Sequence, residues 1–401
     1  MSLYHIVFLL LLIGVVAEHQ LSRTPRIYLL LSFGLLVFLL LFRYGQGTDY
    51  FHYQHIYRNV SRNLFSSWQA PELHGEPGWI FLCWMFKLVH APFSYLVFAV
   101  SALECYFLWR FISRYCSRRC LAHFLCYHTL YLTYFFSAMR QAIVISVFLG
   151  VLIPFLQGKK YLLYYTVNLL CVTIHSVAAV LLLLPMVEMK LFSTIKKQLL
   201  FVLLGWILGS ILASGLFDGL LKQLLPHSVS YYLSMRGISP FAILERLISY
   251  FVTVFTVYAS IQRGSKCPEY VRLFLGTVSF GMFIYGLFLW LPIVASRMSY
   301  IFKVVEIGIW TTLLVDRDIL ARGKIFFCAV IVSCLYVKNI HAYIAEGAYY
   351  SHVNFCNYPY LWVFDTACVN RFRPIPYADT ANNQGPPAPL PNRPAYDYLY
   401  P

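Results

Sequence analysis

The chain has 401 residues, of which 60% are hydrophobic and 12% charged, and its formal net charge is +15. An ordinary soluble domain carries about 25% charged residues, so this composition excludes a soluble enzyme and indicates an all-α polytopic integral membrane protein. The surplus of lysine and arginine lies between apolar blocks, which makes it a topology signal and argues against nucleic acid as a partner.

The apolar blocks in chain order are 2–17, 27–42, 77–90, 92–111, 121–138, 141–157, 161–175, 176–188, 198–216, 241–262, 270–291, 299–316 and 324–342. Blocks such as "LYHIVFLLLLIGVV" do not alternate, as the strands of a membrane β-barrel would. No small-residue cleavage site closes the first block, so it reads as a retained span rather than a signal peptide. The stretch "PGWIFLCWMFKLVH" at 77–90 reaches only about 21 Å as a helix, short of a hydrocarbon core of about 30 Å. It is therefore expected to be re-entrant or interfacial and to return to the side it left.

Charge parity sets the rest. The basic loops around Arg23 and Arg26, Arg110 to Arg119, Lys159 and Lys160, Lys190 to Lys197, Arg263 to Arg272 and Arg317 to Lys324 all face the cytoplasm if 161–188 is two short helices meeting near His175. The expectation is about twelve spans, an outside N-terminus, extracytoplasmic loops at 43–91 and 217–240, a membrane catalytic domain over 1–343, and an extracytoplasmic tail over 344–401. That tail is rich in proline and asparagine and lacks apolar periodicity. The eleven cysteines form no CxxC pair or metal spacing. Cys356 and Cys368 lie in the tail, where an extracytoplasmic setting permits a disulfide.

With this topology one face collects "RYGQGTDYFHYQHIYRN" from 43, "EPGW" at 76–79, "SAMRQAI" at 137–143, "IHSVAA" at 174–179, "YYLSMRGISP" at 231–240, "ERL" at 245–247 and "ASRMSY" at 295–300. Each has two readings. Arg140 is an interfacial anchor or, with Ser137 and Gln141, part of a hydrogen-bonded site. His175 is a satisfied core histidine or a group beside a cavity at a helix break. Asp49 is a helix cap or a proton acceptor, Glu245–Arg246 a simple ion pair, Arg297 an anchor, and the tyrosines an aromatic belt. The joint reading is an anionic, sugar-bearing ligand: several arginines with too few carboxylates match phosphate oxygens, and stacked aromatics suit sugar rings. The charges hug one boundary, which argues against a flippase or transporter. A multispan O-acyltransferase built on His175 is a further alternative.

The ordered series "RYGQGTDYFHY", "EPGW", "MRQAI", "IHSVAAVLLLLP" and "RMSYIF" resembles the EpsG-like branch of the Wzy polysaccharide polymerases over about residues 27 to 310. The chain departs in carrying Ala-Ile-Val after "RQ". The resemblance implies a GT-C-like fold in a bacterial inner membrane, with no metal, cofactor or nucleotide sugar. It implies transfer of a growing glycan from undecaprenyl diphosphate to the next lipid-linked repeat unit on the outer face, with a chain-length regulator as a possible partner. Arg43, Asp49, Tyr50, Tyr53, Glu76, Arg140, Gln141, His175, Arg297 and Tyr300 fall on its motif positions. The expected roles are Arg140 and Arg297 on the donor diphosphate with Arg236 or Arg43 as a third contact. Asp49, Glu76 or His175 is the base, a carboxylate being preferred, and Tyr50, Tyr53 and Trp79 line a sugar groove. A glycan ligase would use the same arginines and differ in acceptor.

Overall fold

The computed structural model describes residues 3–21, 24–47, 49–70, 73, 75–215, 240–264, 267–313, 333–340 and 360–364. The described residues are helical throughout, apart from connecting turns and one isolated antiparallel bridge between Arg43 and Trp362. Six helices are long and apolar enough to cross a membrane: α1 (Leu3–Leu21), α6 (Phe93–Tyr115), α8 (Met139–Gln157), α11 (Ile195–Ala213), α12 (Pro240–Gln262) and α13 (Glu269–Leu287). Four shorter apolar helices accompany them: α2 (Arg26–Leu41), α5 (Pro77–Leu88), α9 (Tyr161–Ile174) and α10 (Ser176–Glu188). The remainder are α3 (Tyr50–Asn59), α4 (Leu64–Gln69), α7 (Arg119–Cys126, continuing with π-helical winding over Tyr127–Phe135), α14 (Pro292–Lys303), α15 (Glu306–Leu313) and a last stretch, α16, over 333–340.

Position within the bundle follows from burial. Of the most apolar stretches of α8 and α13, 72% is buried, against 28% in α1 and 22% in α11, so the former are central and the latter peripheral. The outer faces carry bare aliphatic side chains, Ile27, Leu31 and Leu162 among them, a surface suited to lipid rather than water. Where α11 crosses α13, Gly205 and Gly209 lie against the backbone of Phe283 and Gly286, an approach that a Cβ on either glycine would obstruct. This small-xxx-small spacing is how membrane helices gain packing contact when lipid offers no hydrophobic driving force.

The expected break near His175 is present. α9 ends at Ile174, His175 is extended (φ −152°, ψ 124°), and α10 departs with 3₁₀ winding. The two run antiparallel, since Tyr164 donates to the Leu181 carbonyl at 2.6 Å and Tyr161 reaches Glu188 at the far end. Both outer ends of the pair therefore lie together, opposite His175. α5, at 12 residues, is as short as its sequence requires.

Two expectations are revised. The described part of the apolar block 299–316, to residue 313, falls in two helices, α14 beginning at Pro292 and α15 at Glu306. Hydropathy misses the first turns of α14 because Ser296, Arg297 and Ser299 are polar, yet proline at the first position suits a helix start, and Ser296 and Ser299 are hydrogen-bonded to a neighbouring helix. The segment after Arg43 is not a plain loop. Tyr50, Tyr53, Ile56 and Tyr57 form a helical stripe, and their burial against α5 and α6 draws 50–59 into α3.

The described part of the tail is a strap. Tyr44 N–H donates to Leu361 O at 2.9 Å and Val363 N–H to Phe42 O at 3.0 Å, while the Tyr360 hydroxyl reaches Leu39 O at 2.6 Å. Residues 360–364 thus dock on the end of α2. Cys356 and Cys368 lie outside the described residues, as does Arg236.

Candidate active site

The motif "EPGW" assembles one wall of the site, each residue with its own part. Glu76 sits immediately before α5, Pro77 occupies the first helical position, and Trp79 is fully buried against Tyr53 at 5.1 Å between ring centres. Gly78 faces Thr173 on α9, where a Cβ would stand 2.8 Å from the main-chain carbon and oxygen. The absent side chain lets α5 touch α9 two residues before His175, and this contact places the Glu76 carboxylate within reach of the helix break.

Around that carboxylate the sequence-distant motifs converge. Glu76 Oε1 accepts from His175 Nδ1 at 3.1 Å and from the Ser176 N–H at 3.1 Å, the first residue of α10, and Oε2 takes the Arg140 guanidinium. Burial of Glu76 works to raise its pKa, but the His175 hydrogen bond, the Arg140 charge and the Ser176 amide outweigh it and hold the carboxyl down at about 2. Glu76 is therefore ionised at neutral pH. Because a carboxylate only accepts hydrogen bonds, Nδ1 of a neutral His175 carries the proton and Nε2 keeps the lone pair.

Arg140 lies 5.4 Å over the Tyr53 ring, and Asp49, at the N-cap position of α3, contributes its field to both. Next along α8, the Gln141 amide donates to the Arg297 carbonyl at 2.9 Å and ties the head of α8 to α14. The Arg297 side chain is exposed. Glu76, Arg140, Gln141, His175, Tyr53 and Asp49 are thus brought together, with the backbone of Arg297 beside them.

Other expected site residues are placed differently. Arg43 is fully buried, and its Nη1 donates to Leu40 O at 2.6 Å and to Ser101 Oγ at 2.7 Å. The buried Glu104 lies in its field, so it is an interior charge and not an accessible diphosphate contact. Tyr50, Tyr53 and Trp79 are each at most 2% exposed: they support the site from beneath and do not line an open groove. Tyr300 donates to the Thr129 carbonyl and packs at a tilt against Tyr134, 4.3 Å between ring centres. Glu245 and Arg246 do not pair with each other. Glu245 holds Lys303 at 2.8 Å and also Lys338, whereas Arg246 turns to Ser299 and Ser296.

Glu104 is buried midway along α6, so ionisable residues are not confined to helix ends. Sequence reading missed the Ser176 amide and Lys303. A helix break followed by serine was the available signal for the first, but none existed for the second.

Among the described residues no group of three or more histidine, cysteine, aspartate or glutamate side chains is placed to hold a metal ion. No curated protein and no solved structure matches this chain. A family model described as the EpsG family matches residues 26–362, a span that runs past the resemblance read from the motifs and takes in the start of the strap. By that match, and as a multi-pass helical protein with a cluster built from the motifs "EPGW", "MRQAI" and "IHS", the chain belongs to the EpsG family of polysaccharide-polymerase-like membrane proteins.

Proposed function

We propose that this protein is a polysaccharide polymerase of a bacterial inner membrane that transfers a growing glycan from undecaprenyl diphosphate to the next lipid-linked repeat unit on the outer face. The observation that carries the reading is the Glu76–His175–Arg140 cluster, which joins an oriented imidazole to a guanidinium at one end of the bundle. The proposal includes the twelve-span, GT-C-like topology with its N-terminus outside.

The base in this mechanism is His175, a change from the carboxylate preferred on sequence. A carboxyl held at about 2 is a poor proton acceptor at neutral pH, whereas a neutral imidazole whose Nδ1–H is fixed by Glu76 presents Nε2. Nε2 takes the proton of the acceptor hydroxyl as its oxygen bonds the anomeric carbon. The bond from that carbon to the diphosphate oxygen breaks, and the diphosphate leaves with the electron pair. Attack opposite the leaving group inverts the anomeric centre. Arg297 and Arg140 neutralise the departing charge, and one such donor contributes on the order of 3 kcal/mol to the transition state. The diphosphate is already a good leaving group, so no metal or nucleotide sugar is required. Glu76 acts through His175 and is a positioning residue.

The test is polymerisation of purified lipid-linked repeat unit by folded variants. His175→Gln is expected to lose about 10²- to 10⁴-fold in rate, the usual loss on removing a general base. Asp49→Asn should retain most activity. Wild-type turnover by His175→Gln would refute the assignment. Glycan from a deletion strain decides between acceptors: single repeat units support a polymerase, and full-length polymer left unattached supports a ligase.

A further inference from the structure

The first helix, α1, precedes the span that marks the family, and only 28% of its most apolar stretch is buried, as befits a peripheral helix. Its first turn is nonetheless tied to the interior. Tyr4 is 3% exposed and Gln46 is fully buried, and the Tyr4 hydroxyl donates to Gln46 Oε1 at 2.6 Å. The Tyr4 carbonyl accepts from the Tyr127 hydroxyl at 2.9 Å, while its ring meets Phe136 edge-on at 6.3 Å and Tyr360 of the strap at 6.5 Å. One residue of α1 therefore touches the turn after α2, the approach to α8 and the strap.

The turn it holds is built to transmit position. Gly45 and Gly47 have φ of 62° and 94°, a region in which glycine is favoured because it has no Cβ. Gly47 lies against the main chain of Phe136 and Ser137, where a Cβ would stand 2.6 Å from the Phe136 carbonyl carbon and 2.7 Å from the Ser137 Cα. Packing this close leaves no slack, so the turn cannot shift toward that segment without displacing it. Arg140 stands three residues beyond Ser137. Two residues beyond Gly47, Asp49 heads α3, whose Tyr53 ring lies 5.4 Å beneath the Arg140 guanidinium. The guanidinium and the ring under it are thus both placed relative to the Gln46 turn.

We propose that Tyr4 is a positioning residue of the active site, its hydroxyl fixing Gln46 and thereby the seating of Arg140 over Tyr53. α1 is then part of the scaffold of the site and not an anchor alone. That Arg140 so placed serves glycan transfer rests on the polymerase reading. The tie itself rests on the Tyr4–Gln46 hydrogen bond and the Gly47–Phe136 contact.

The experiment compares full-length Tyr4→Phe, Gln46→Leu and the double variant in nanodiscs. Val7→Ala is the control, since it loosens the buried face of the same helix without touching Gln46. Amide hydrogen exchange is followed over 45–50 and 136–142, and kcat and KM are measured for polymerisation of purified lipid-linked repeat unit. Tyr4→Phe keeps the ring and removes one hydroxyl. It should speed exchange over both segments several-fold and lower kcat about three- to tenfold, a fraction of the roughly hundredfold that a full 1 Å misplacement costs, with KM within about twofold of the wild type. Gln46→Leu should match it and the double variant add little, because the two side chains act through one bond. Val7→Ala should lower the melting temperature and leave kcat and the exchange of both segments unchanged. Should Gln46→Leu fail to fold, Tyr4→Phe against Val7→Ala decides by itself. Wild-type exchange and kcat in Tyr4→Phe, equal losses in Val7→Ala, or losses in Tyr4→Phe and Gln46→Leu that add in full would overturn the proposal. If the wild type elongates no glycan, the polymerase reading is lost, and the tie stands or falls by the exchange comparison alone.

Discussion

Gly78→Ala tests whether the approach of α5 to α9 builds the site. The new Cβ would stand 2.8 Å from the main-chain carbon and oxygen of Thr173, where ordinary contact begins at about 3.5 Å, so the helices must part by about 0.7 Å. The Glu76–His175 and Ser176–Glu76 hydrogen bonds, both 3.1 Å, would stretch toward about 3.8 Å and cease to be hydrogen bonds. Overpacking of this kind costs about 1–3 kcal/mol, and misplacing a catalytic group by about 1 Å costs up to about a hundredfold in rate. The expected result is a folded protein with a lower melting temperature and polymerisation reduced about ten- to hundredfold. Thr173→Ala added to it should restore only part of the loss, because it removes the hydroxyl nearest the new Cβ but leaves the main-chain carbon and oxygen at 2.8 Å. Wild-type rate and melting temperature in Gly78→Ala would refute the reasoning, as would full rescue by Thr173→Ala.

Glu76 should contribute an acid-sensitive increment of stability. Its pKa is lowered from 4.5 to about 2 in the fold, so the increment is present above about 4.5 and is lost as pH falls from there toward 2. The shift corresponds to about 3 kcal/mol, and the melting temperature of the wild type should fall toward that of Glu76→Gln between pH 6 and pH 3; parallel curves for the two proteins would remove the ion-pair account. Arg43→Met removes the buried donor to Leu40 O and Ser101 Oγ and should destabilise the protein by about 1–3 kcal/mol, with little further loss on adding Ser101→Ala, since Arg43 and Ser101 share one hydrogen bond. Denaturation of single and double variants that added independently would show the two residues uncoupled. Reporter fusions after residues 65 and 91 should both signal the outer side and a fusion at 115 the inner, since the 12 residues of α5 cannot cross; opposite signals at 65 and 91 would make it a span.

The sequence by itself determined the class of the protein, most of its apolar helices in order, the shortness of α5 and the break near His175. Each of these depends on local quantities: the length of an apolar run, the charge of a loop and the residue type at a break. The shortness of α5 and the interruption at His175 were legible because a helix of given length reaches a calculable distance and no further. The motif residues were legible as polar groups that a bilayer does not tolerate without cause. Their partners were not. Glu76 lies 99 residues from His175 and 64 from Arg140, and only the α5–α9 contact opened by Gly78 decides that one carboxylate serves both. Arg43 and Arg140 look alike in sequence, each at the mouth of a helix, yet packing buries the first against Ser101 and sets the second on Tyr53. Likewise Glu245 and Arg246 are neighbours in sequence that part in space, because successive residues of a helix point about 100° apart: Arg246 meets Ser296 and Ser299 of α14, and Glu245 meets Lys303 at the end of α14 and Lys338 of α16. Which charge is neutralised, and by which partner, is a property of the assembled bundle and of no segment within it.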